Sequence, residues 1–309
     1  MKRHTAFIIN GGAGRVLCAI PALEIYEASY PDDDFIIVVE YWIDLFKGHP
    51  TLYKRCFDAA HKNLFEDKIK SRQIVAPEPY QLWEYYNQKA SIAQGFDIAI
   101  NHSGLRPIHR PSIYLSNAER NGGVASVNAI RKDHNKKIIV FQPFGRGSVF
   151  HNNEIVDDVF GKSFFIIDVI NIIKKLQAKY TVLIMSESTI EFDKLDNSVQ
   201  VSQMPNLSVR QWIAIINASD YFLGCDSLGQ HIAYALNKPA TAVLGSTFKE
   251  NVSYPNVDNF NIVDVGEDKK EYSPLRVCYD TAIDINNENL MRLNQHYISD
   301  IITLIENSI

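Results

Sequence analysis

Acidic, hydroxyl and imidazole side chains are grouped where a short apolar segment turns into a helical pattern. Residues 221–224 are typical of a buried strand, and residues 227–236 have helical spacing. Asp226 and Ser227 lie at the turn, and His231 follows by about one helical turn, so Ser227 and His231 can face one ligand. Because a helix start offers unpaired N–H groups and a positive dipole end, this arrangement predicts a diphosphate site. The competing interpretation is that Asp226 or Ser227 only caps the helix.

The chain continues through residues 237–247, and the whole segment resembles the signature of glycosyltransferase family 9, the family of the ADP-heptose:lipopolysaccharide heptosyltransferases. The family pattern is a strand, Asp-Ser/Thr-Gly-x-x-His-x-Ala, a helix, Pro, a strand and Gly-x-Thr. The residues that match it are Asp226, Ser227, His231, Ala233, Pro239, Gly245 and Thr247. The third position departs, because Leu228 stands there and Gly229 follows one place later.

The resemblance implies a nucleotide-sugar site built from this segment and from one further loop. Ser246 and Thr247 are expected to contact the donor, and Asp226 to orient donor hydroxyls or backbone, since a carboxylate repels phosphate. Residues 140–148 resemble the strand and loop that open the family's C-terminal domain. In the family this loop supplies cationic and hydroxyl contacts to the donor phosphates, roles that fall here to Arg146 and Ser148.

A glycine-rich loop near the N-terminus also resembles the family. The residue that follows this loop is the main departure of the chain from the family pattern. Gly12 and Gly14 would let the backbone approach a ligand. Many family members carry an aspartate base directly after this loop, but this chain has Arg15, which cannot be a base at neutral pH. Three explanations stay open. His102 could be the base, Arg15 could bind an anionic group, or the protein could bind nucleotide sugar without transferring it.

The elements that must position these residues alternate between strand and helix, which predicts parallel sheets covered by helices. We expect an α/β fold of the GT-B class, with two Rossmann-like domains whose parallel sheets face a cleft. An acceptor-side domain is predicted at 1–125 and a donor-binding domain at 126–286, with a polar linker around 121–137. Strands are expected at 6–9, 35–39 and 97–100 in the first domain, and a helix at about 80–94. The tail, 287–309, is predicted to be a helix that packs back across the cleft.

Composition narrows the class of protein. The 309 residues carry a net charge of −5, so no large nucleic-acid surface is evident for the whole chain. The scattered cysteines (Cys18, Cys56, Cys225 and Cys278) indicate neither a zinc site nor a disulfide framework, and they favour the cytoplasm. The carboxylates at 32–34 are interpreted as a solvated turn. No metal site and no cofactor other than the nucleotide-sugar substrate is therefore expected.

The resulting hypothesis is an inverting, metal-independent glycosyltransferase with an ADP- or UDP-linked hexosyl, pentosyl or heptosyl donor. The acceptor would be a glycan or a hydroxymethylated DNA base, the latter because divergent sequences of this kind also occur in bacteriophages. Basic residues considered for DNA contact are Lys47, Lys54, Arg55, His61, Lys62, Arg106, His109 and Arg110. The alternatives are a non-catalytic nucleotide-sugar-binding protein and a UDP-sugar epimerase on the same fold.

Overall fold

The computed structural model describes residues 4–131, 136–145, 148–151, 154–158, 161–204, 206–270 and 289–309. Within these residues the chain divides into two compact units. Unit 1 contains residues 4–116, and unit 2 contains residues 117–270 and 289–309. The division therefore falls earlier in the chain than the boundary placed after residue 125.

Unit 1 is built on a parallel sheet of four strands. They are β1 (Thr5–Ile9), β2 (Ile36–Val39), β3 (Cys56–Asp58) and β4 (Gln73–Val75). Their order across the sheet is β3-β2-β1-β4, with Ile9 in register with Val39 and Thr5 with Gln73. The apolar runs of β1 and β2 are buried because helices and loops cover the central strands.

Three α-helices and several short turns complete unit 1. The helices are α1 (Ala13–Ser29), α2 (Trp83–Tyr86) and α3 (Ile92–Asn101). The short elements are 3₁₀ turns at Ile43–Phe46, Tyr53–Arg55 and Pro79–Gln81 and a π turn at Phe65–Ile69. The predicted solvated turn at 32–34 is partly wrong, since Asp33 is buried. Its carboxylate accepts hydrogen bonds from Thr5 Oγ1 at 2.7 Å and from the Tyr26 hydroxyl at 2.5 Å, so it ties α1 to β1.

Two predictions for unit 1 are corrected by α3. Residues 97–100, expected to be a strand, lie in this helix, and the helix expected at 80–94 is replaced by shorter elements. Ser91 starts α3 through a capping box with Gln94. Phe96 and Ile100 are buried one turn apart, so the apolar pattern is helical and packs α3 against α1.

Unit 2 contains a larger parallel sheet and a hairpin. The strands are β5 (Lys137–Gln142), β6 (Ser148–His151), β7 (Glu154–Asp158), β8 (Tyr180–Ile184), β9 (Ser202–Gln203), β10 (Tyr221–Cys225), β11 (Ala240–Leu244) and β12 (Phe260–Asp264). The sheet has the order β12-β11-β10-β5-β8-β9, and β6 pairs with β7 as an antiparallel hairpin. β5, β10 and β11 are adjacent, which brings the loops after them together.

Seven helices surround this sheet within the described residues. They are α4 (Asn117–Ile130), α5 (Ile166–Leu176), α6 (Phe192–Leu195), α7 (Val209–Ala218), α8 (Leu228–Ala235), α9 (Lys249–Val252) and α10 (Gln295–Ser308). The predicted linker around 121–137 is largely α4, which packs on α7 in unit 2. Ile298, Ile301 and Ile305 of α10 are buried in the core of unit 2. Among the described residues, no helix is long and apolar enough to cross a bilayer.

Candidate active site

The site predicted from the Asp226 segment lies at the carboxyl edge of the unit 2 sheet. Parallel strands end on the same edge, and ligands of such folds bind there. Gln142 ends β5, Asp226 and Ser227 follow β10, and Ser246 follows β11. Because these three strands are neighbours, their ends place a buried acid, two hydroxyls and an amide in one region.

Asp226 is a buried carboxylate whose charge is already compensated. Lys162 Nζ donates to Asp226 Oδ2 at 2.6 Å, and Gln230 Nε2 donates to Oδ1 at 2.6 Å. Ser253 Oγ in turn donates to Gln230 Oε1 at 3.0 Å. A buried charge requires such partners, because desolvation without them is costly. Asp226 therefore anchors a lysine ammonium beside the start of α8.

Ser227 is the N-cap of α8, but its side chain makes no capping hydrogen bond. Its Oγ instead accepts a hydrogen bond from Gln142 Nε2 at 3.1 Å, while Gln142 Oε1 accepts from the Gly229 N–H at 2.8 Å. The interpretation that Asp226 or Ser227 is a simple side-chain cap is thus wrong. Gln142 links β5 to the first turn of α8 and fixes the orientation of the Ser227 hydroxyl.

The position of Gly229 follows from the same contacts. A Cβ atom at this residue would lie 2.4 Å from Gln142 Oε1 and 2.4 Å from the Phe222 ring. Both distances are far shorter than real carbon contacts, so only glycine fits. The shift of glycine from the third to the fourth position of the signature therefore accompanies close packing on Gln142 and Phe222.

His231 faces Tyr254 from within α8. Its Nδ1 and the Tyr254 hydroxyl are 2.7 Å apart, and Tyr254 stacks on Tyr234 with ring centroids 3.5 Å apart. Burial lowers the pKa of His231 to about 4, although the nearby Asp226 carboxylate raises it. The imidazole is therefore neutral at pH 7 and acts as a hydrogen-bonding group, not as a cation.

The other predicted donor contacts in unit 2 have different outcomes. Arg146 lies outside the described residues. Ser148 Oγ donates to the Gly145 carbonyl at 2.9 Å and also bonds to Ser163 Oγ. Gly145 N–H donates to Ser163 Oγ at 2.9 Å. A further hydrogen bond joins the two ends of the connection between β5 and α5, where the Phe164 N–H donates to the Pro143 carbonyl at 2.9 Å. Ser148 thus helps to close this loop.

Ser246 and Thr247 follow β11 as the signature predicted. Ser246 is buried, and Thr247 Oγ1 is shielded from solvent without a hydrogen-bond partner among the described residues. The Thr247 carbonyl accepts from Lys270 Nζ at 2.8 Å, and the same ammonium contacts both oxygens of Asp264 at 2.7 Å. The loop is therefore held in place by a buried ion pair behind it.

In unit 1, Arg15 is buried in an ion pair and does not face an open surface. Arg15 Nη1 donates to both carboxylate oxygens of Glu78, at 3.0 and 3.1 Å, and Nη2 donates to the Pro77 carbonyl at 3.1 Å. The guanidinium also lies over the Tyr80 ring, 5.1 Å from its centroid. These contacts argue against the anion-binding role predicted for Arg15, because Glu78 already occupies the guanidinium.

The glycines of the same loop differ in what they do. Gly11 has φ +95°, and a Cβ there would lie 2.9 Å from Arg15 Cδ, so the turn requires glycine. Gly12 is the N-cap of α1, with open space where a Cβ would lie, and Gly14 is in the first turn of α1. The backbone at Gly12 is thus open to a close approach, and its contact with a ligand stays a prediction.

His102 is not at the carboxyl edge of the sheet, because the strand predicted before it is helix α3. It is the C-cap of that helix, in the left-handed conformation with φ 51°. The adjacent Asn101 donates through Nδ2 to the Ala22 carbonyl at 3.0 Å. Ala22 is about 10 Å along α1 from Arg15, at 1.5 Å per residue. The structure therefore does not bring His102 to the glycine loop.

Sequence reasoning missed the groups that bind the predicted residues. Lys162 and Glu78 are the partners of Asp226 and Arg15, at sequence separations of 64 and 63 residues. Gln142 could have been predicted as a site residue, because it is a polar residue at the end of an apolar strand. Within the described chain, no group of three or more His, Cys, Asp or Glu side chains could hold a metal ion.

Each unit is Rossmann-like with a parallel sheet, and the chain has the α/β fold of the GT-B class. This confirms the predicted fold class. A glycosyltransferase family 9 protein from Veillonella parvula is similar with a TM-score of 0.69 and 11% identity, over 99% of this chain and 98% of that chain. No family model and no curated protein matches the sequence.

Two heptosyltransferase structures from E. coli show the same fold. ADP-heptose LPS heptosyltransferase II has a TM-score of 0.57 and 12% identity, over 98% of this chain and 99% of that chain. Heptosyltransferase WaaC with ADP has a TM-score of 0.55 and 13% identity, over 99% of this chain and 100% of that chain. At these identities the similarity establishes the fold alone, so the activity must be argued from the chemistry of the site.

Proposed function

We propose that the protein is a glycosyltransferase that binds the diphosphate of a nucleotide-sugar donor at the start of α8. The observation that carries this proposal is the Lys162 ammonium, held by buried Asp226 beside the helix start. The Lys162 side chain is 28% exposed, so a ligand can reach it while Asp226 keeps it in place. A positive charge and a helix dipole then act on the same anion.

The proposed reaction is a displacement at the anomeric carbon. The acceptor oxygen forms the new glycosidic bond, the bond to the diphosphate oxygen breaks, and the acceptor proton passes to a base. Lys162 and the N–H groups of α8 would stabilise the negative charge that grows on the leaving diphosphate. We propose that the acceptor attacks the face opposite the leaving diphosphate, which inverts the anomeric carbon. Because a protein cation stabilises the leaving group, we also propose that the reaction needs no metal ion. Neutral His231 and the Ser227 hydroxyl would contribute hydrogen bonds without changing the charge.

The donor nucleotide is proposed to be ADP or UDP, with ADP tested first because the similar WaaC structure contains ADP. The transferred group would be a hexosyl, pentosyl or heptosyl unit. The acceptor would be a glycan or a hydroxymethylated DNA base. We place the protein in the cytoplasm, and the buried thiols of Cys18, Cys56 and Cys225 support a reducing compartment.

A second candidate is a protein that binds nucleotide sugar without transferring it. The Arg15–Glu78 pair favours this candidate. The family resemblance expects a catalytic base at position 15, but this chain has a guanidinium there that is bound to a carboxylate. Such a protein would share the donor site and lack turnover.

Thermal shift with ADP, UDP, ADP-heptose and UDP-glucose tests donor binding, because a ligand of the folded state raises its apparent stability. We expect one nucleotide series to stabilise the protein, and Lys162→Met to weaken its binding by about tenfold or more, roughly 1.4 kcal/mol. Lys174→Met is the matched control, since Lys174 pairs with Asp196 on an exposed surface. Equal affinity in both variants would contradict the assignment, and donor hydrolysis or transfer then separates an enzyme from a silent binder.

A further inference from the structure

Two consecutive residues that follow α9 contact two consecutive residues of α8. Ser253 Oγ donates to Gln230 Oε1 at 3.0 Å, and the Tyr254 hydroxyl lies 2.7 Å from His231 Nδ1. Ser253 is buried, and it is the residue at which α9 ends. One short segment therefore holds two neighbouring side chains of the helix whose start is the candidate diphosphate site.

The Ser253 contact is the outer end of a series of hydrogen bonds that leads to Lys162. Gln230 is completely buried, and its Nε2 donates to Asp226 Oδ1 at 2.6 Å. Asp226 Oδ2 accepts from Lys162 Nζ at 2.6 Å. Because a carboxylate only accepts, the amide must turn Nε2 toward it, and the amide oxygen then accepts from the Ser253 hydroxyl. Ser253 thus fixes the amide that orients the carboxylate toward the ammonium.

Aromatic packing fixes the position of the Tyr254 ring. The ring stacks on Tyr234, with centroids 3.5 Å apart and planes at 15°, and it meets buried Phe260 edge-on at 5.1 Å. Tyr234 is three residues after His231 in α8, so both lie on the side of the helix that Tyr254 contacts. The hydroxyl is therefore held at Nδ1 by packing that a phenylalanine could keep.

The Tyr254 hydroxyl decides which nitrogen of His231 carries the proton. His231 is neutral, because burial lowers its pKa to about 4. A neutral imidazole has one N–H and one acceptor nitrogen, and the partner of one nitrogen sets the state of the other. A phenolic O–H is more acidic than the N–H of a neutral imidazole, so the hydroxyl donates to Nδ1 and the proton lies on Nε2. An N–H at Nε2 has the polarity that an anionic ligand requires.

Resting on the proposed transferase function, we propose that Ser253 and Tyr254 are positioning residues of the diphosphate site. Ser253 acts through Gln230 on the carboxylate that holds the ammonium. Tyr254 acts on His231 and makes Nε2 its hydrogen-bond donor. Neither residue has to touch the ligand, and neither is among the residues that match the family signature.

Long-range ¹H–¹⁵N NMR of the full chain, labelled at its histidines, reads the imidazole tautomer directly, and His231→Gln assigns the signals. Between about pH 6 and 8 we expect His231 to have an unprotonated Nδ1 and a protonated Nε2. Tyr254→Phe should shift the Nδ1 resonance, because this nitrogen loses its donor. Tyr221→Phe is the matched control and should not shift it. The Tyr221 hydroxyl is also 2.7 Å from its partner, Thr241 Oγ1, but Tyr221 is at the start of β10, away from the carboxyl edge.

Calorimetric titration with ADP and with UDP measures the effect on the site. For the nucleotide that binds wild type, we expect Tyr254→Phe and Ser253→Ala each to weaken binding by about three- to tenfold. In a His231→Gln background, Tyr254→Phe should change the affinity by less than about twofold, because its effect passes through the imidazole. Ser219→Ala should bind like wild type. It is the matched control for Ser253→Ala, since both serines are 3% exposed and the Ser219 hydroxyl donates to the Ile216 carbonyl.

A protonated Nδ1 in wild-type His231, or an Nδ1 resonance that Tyr254→Phe leaves unchanged, would overturn the inference. Additive losses of affinity from Tyr254→Phe and His231→Gln would overturn it as well. Failure of wild type to bind either nucleotide refutes the proposed donor site itself. Normal nucleotide binding by wild type, Tyr254→Phe and Ser253→Ala alike refutes only the positioning role.

Discussion

Replacing Glu78 with glutamine leaves the Arg15 guanidinium buried beside a neutral amide. The two side chains are only 7% and 17% exposed, and Arg15 Nε is already shielded from solvent without a hydrogen-bond partner. Water therefore cannot take over the role of the carboxylate. Removing one partner of a buried pair costs about 3–5 kcal/mol. Because the amide oxygen can still accept from Nη1, we expect Glu78→Gln to cost about 3 kcal/mol, at the lower end of this range.

The double variant Arg15→Met/Glu78→Met removes both charges and keeps apolar volume beside Tyr80 and Phe96. We expect it to be within about 1 kcal/mol of wild type, since apolar replacement of a buried ion pair is often neutral. Arg15→Asp, which restores the family residue, should be the least stable variant, because it places a second carboxylate against Glu78. The order of the unfolding free energies of these variants distinguishes a buried ion pair from an exposed one.

Urea unfolding followed by tryptophan fluorescence measures these differences. Trp42 and Trp83 lie in unit 1 and Trp212 in unit 2, so a Trp212→Phe background reports unit 1 alone. Two-state analysis must be checked for each variant through its m-value. A cost below about 1 kcal/mol for Glu78→Gln, additive with that of Arg15→Met, would refute the buried-pair argument.

Three other predictions concern unit 2. A Cβ at Gly123 would lie 2.3 Å from the Ala214 carbonyl oxygen, so Gly123→Ala should lower the unfolding free energy by about 1–3 kcal/mol in chemical denaturation. A Cβ at Gly122, in the same helix, would lie in open space, so Gly122→Ala should be neutral or stabilise by up to about 1 kcal/mol. Equal losses of stability in Gly122→Ala and Gly123→Ala would contradict the packing argument. Because the pKa of His231 is lowered to about 4, we expect wild type to lose stability as the pH falls from 6.5 to about 4. The loss should be about 3 kcal/mol larger than that of His231→Gln over the same range. Parallel stability–pH profiles of the two proteins would contradict this prediction.

The sequence was most informative where local pattern and tertiary position agree. β10, the turn at Asp226 and α8 were predicted correctly, because a buried parallel strand followed by a helix has one way to place its turn residues. The same rule failed at residues 97–100. Three apolar or small residues after Asp97 were interpreted as a strand, but the capping box at Ser91 and the spacing of Phe96 and Ile100 make them the end of a helix.

Residue roles were harder to predict than elements. Arg15 was interpreted from its own loop, where a cation beside glycines suits an anion, but tertiary structure supplies the anion from Glu78. Lys162 was not considered, because its pairing with Asp226 depends on how the chain returns from the β6–β7 hairpin to α5. Contacts between residues so far apart in the chain leave no local spacing to recognise. The polar stretch after 121 was assigned to a linker because α4 has little apolar pattern, since Gly123 and Val127 are its buried residues.

The closure of the connection between β5 and α5 has a consequence for how this protein can change. Gly145, Ser148 and Ser163 hydrogen-bond across its base, and Pro143 accepts from Phe164 N–H. Lys162 directly precedes Ser163 and Phe164, so this closure fixes the backbone beside it. Segments tied off in this way accept insertion or exchange with little effect on the elements that carry them. The β6–β7 hairpin can therefore diverge between related proteins, or be replaced by a designed one, while the ammonium beside α8 stays where it is.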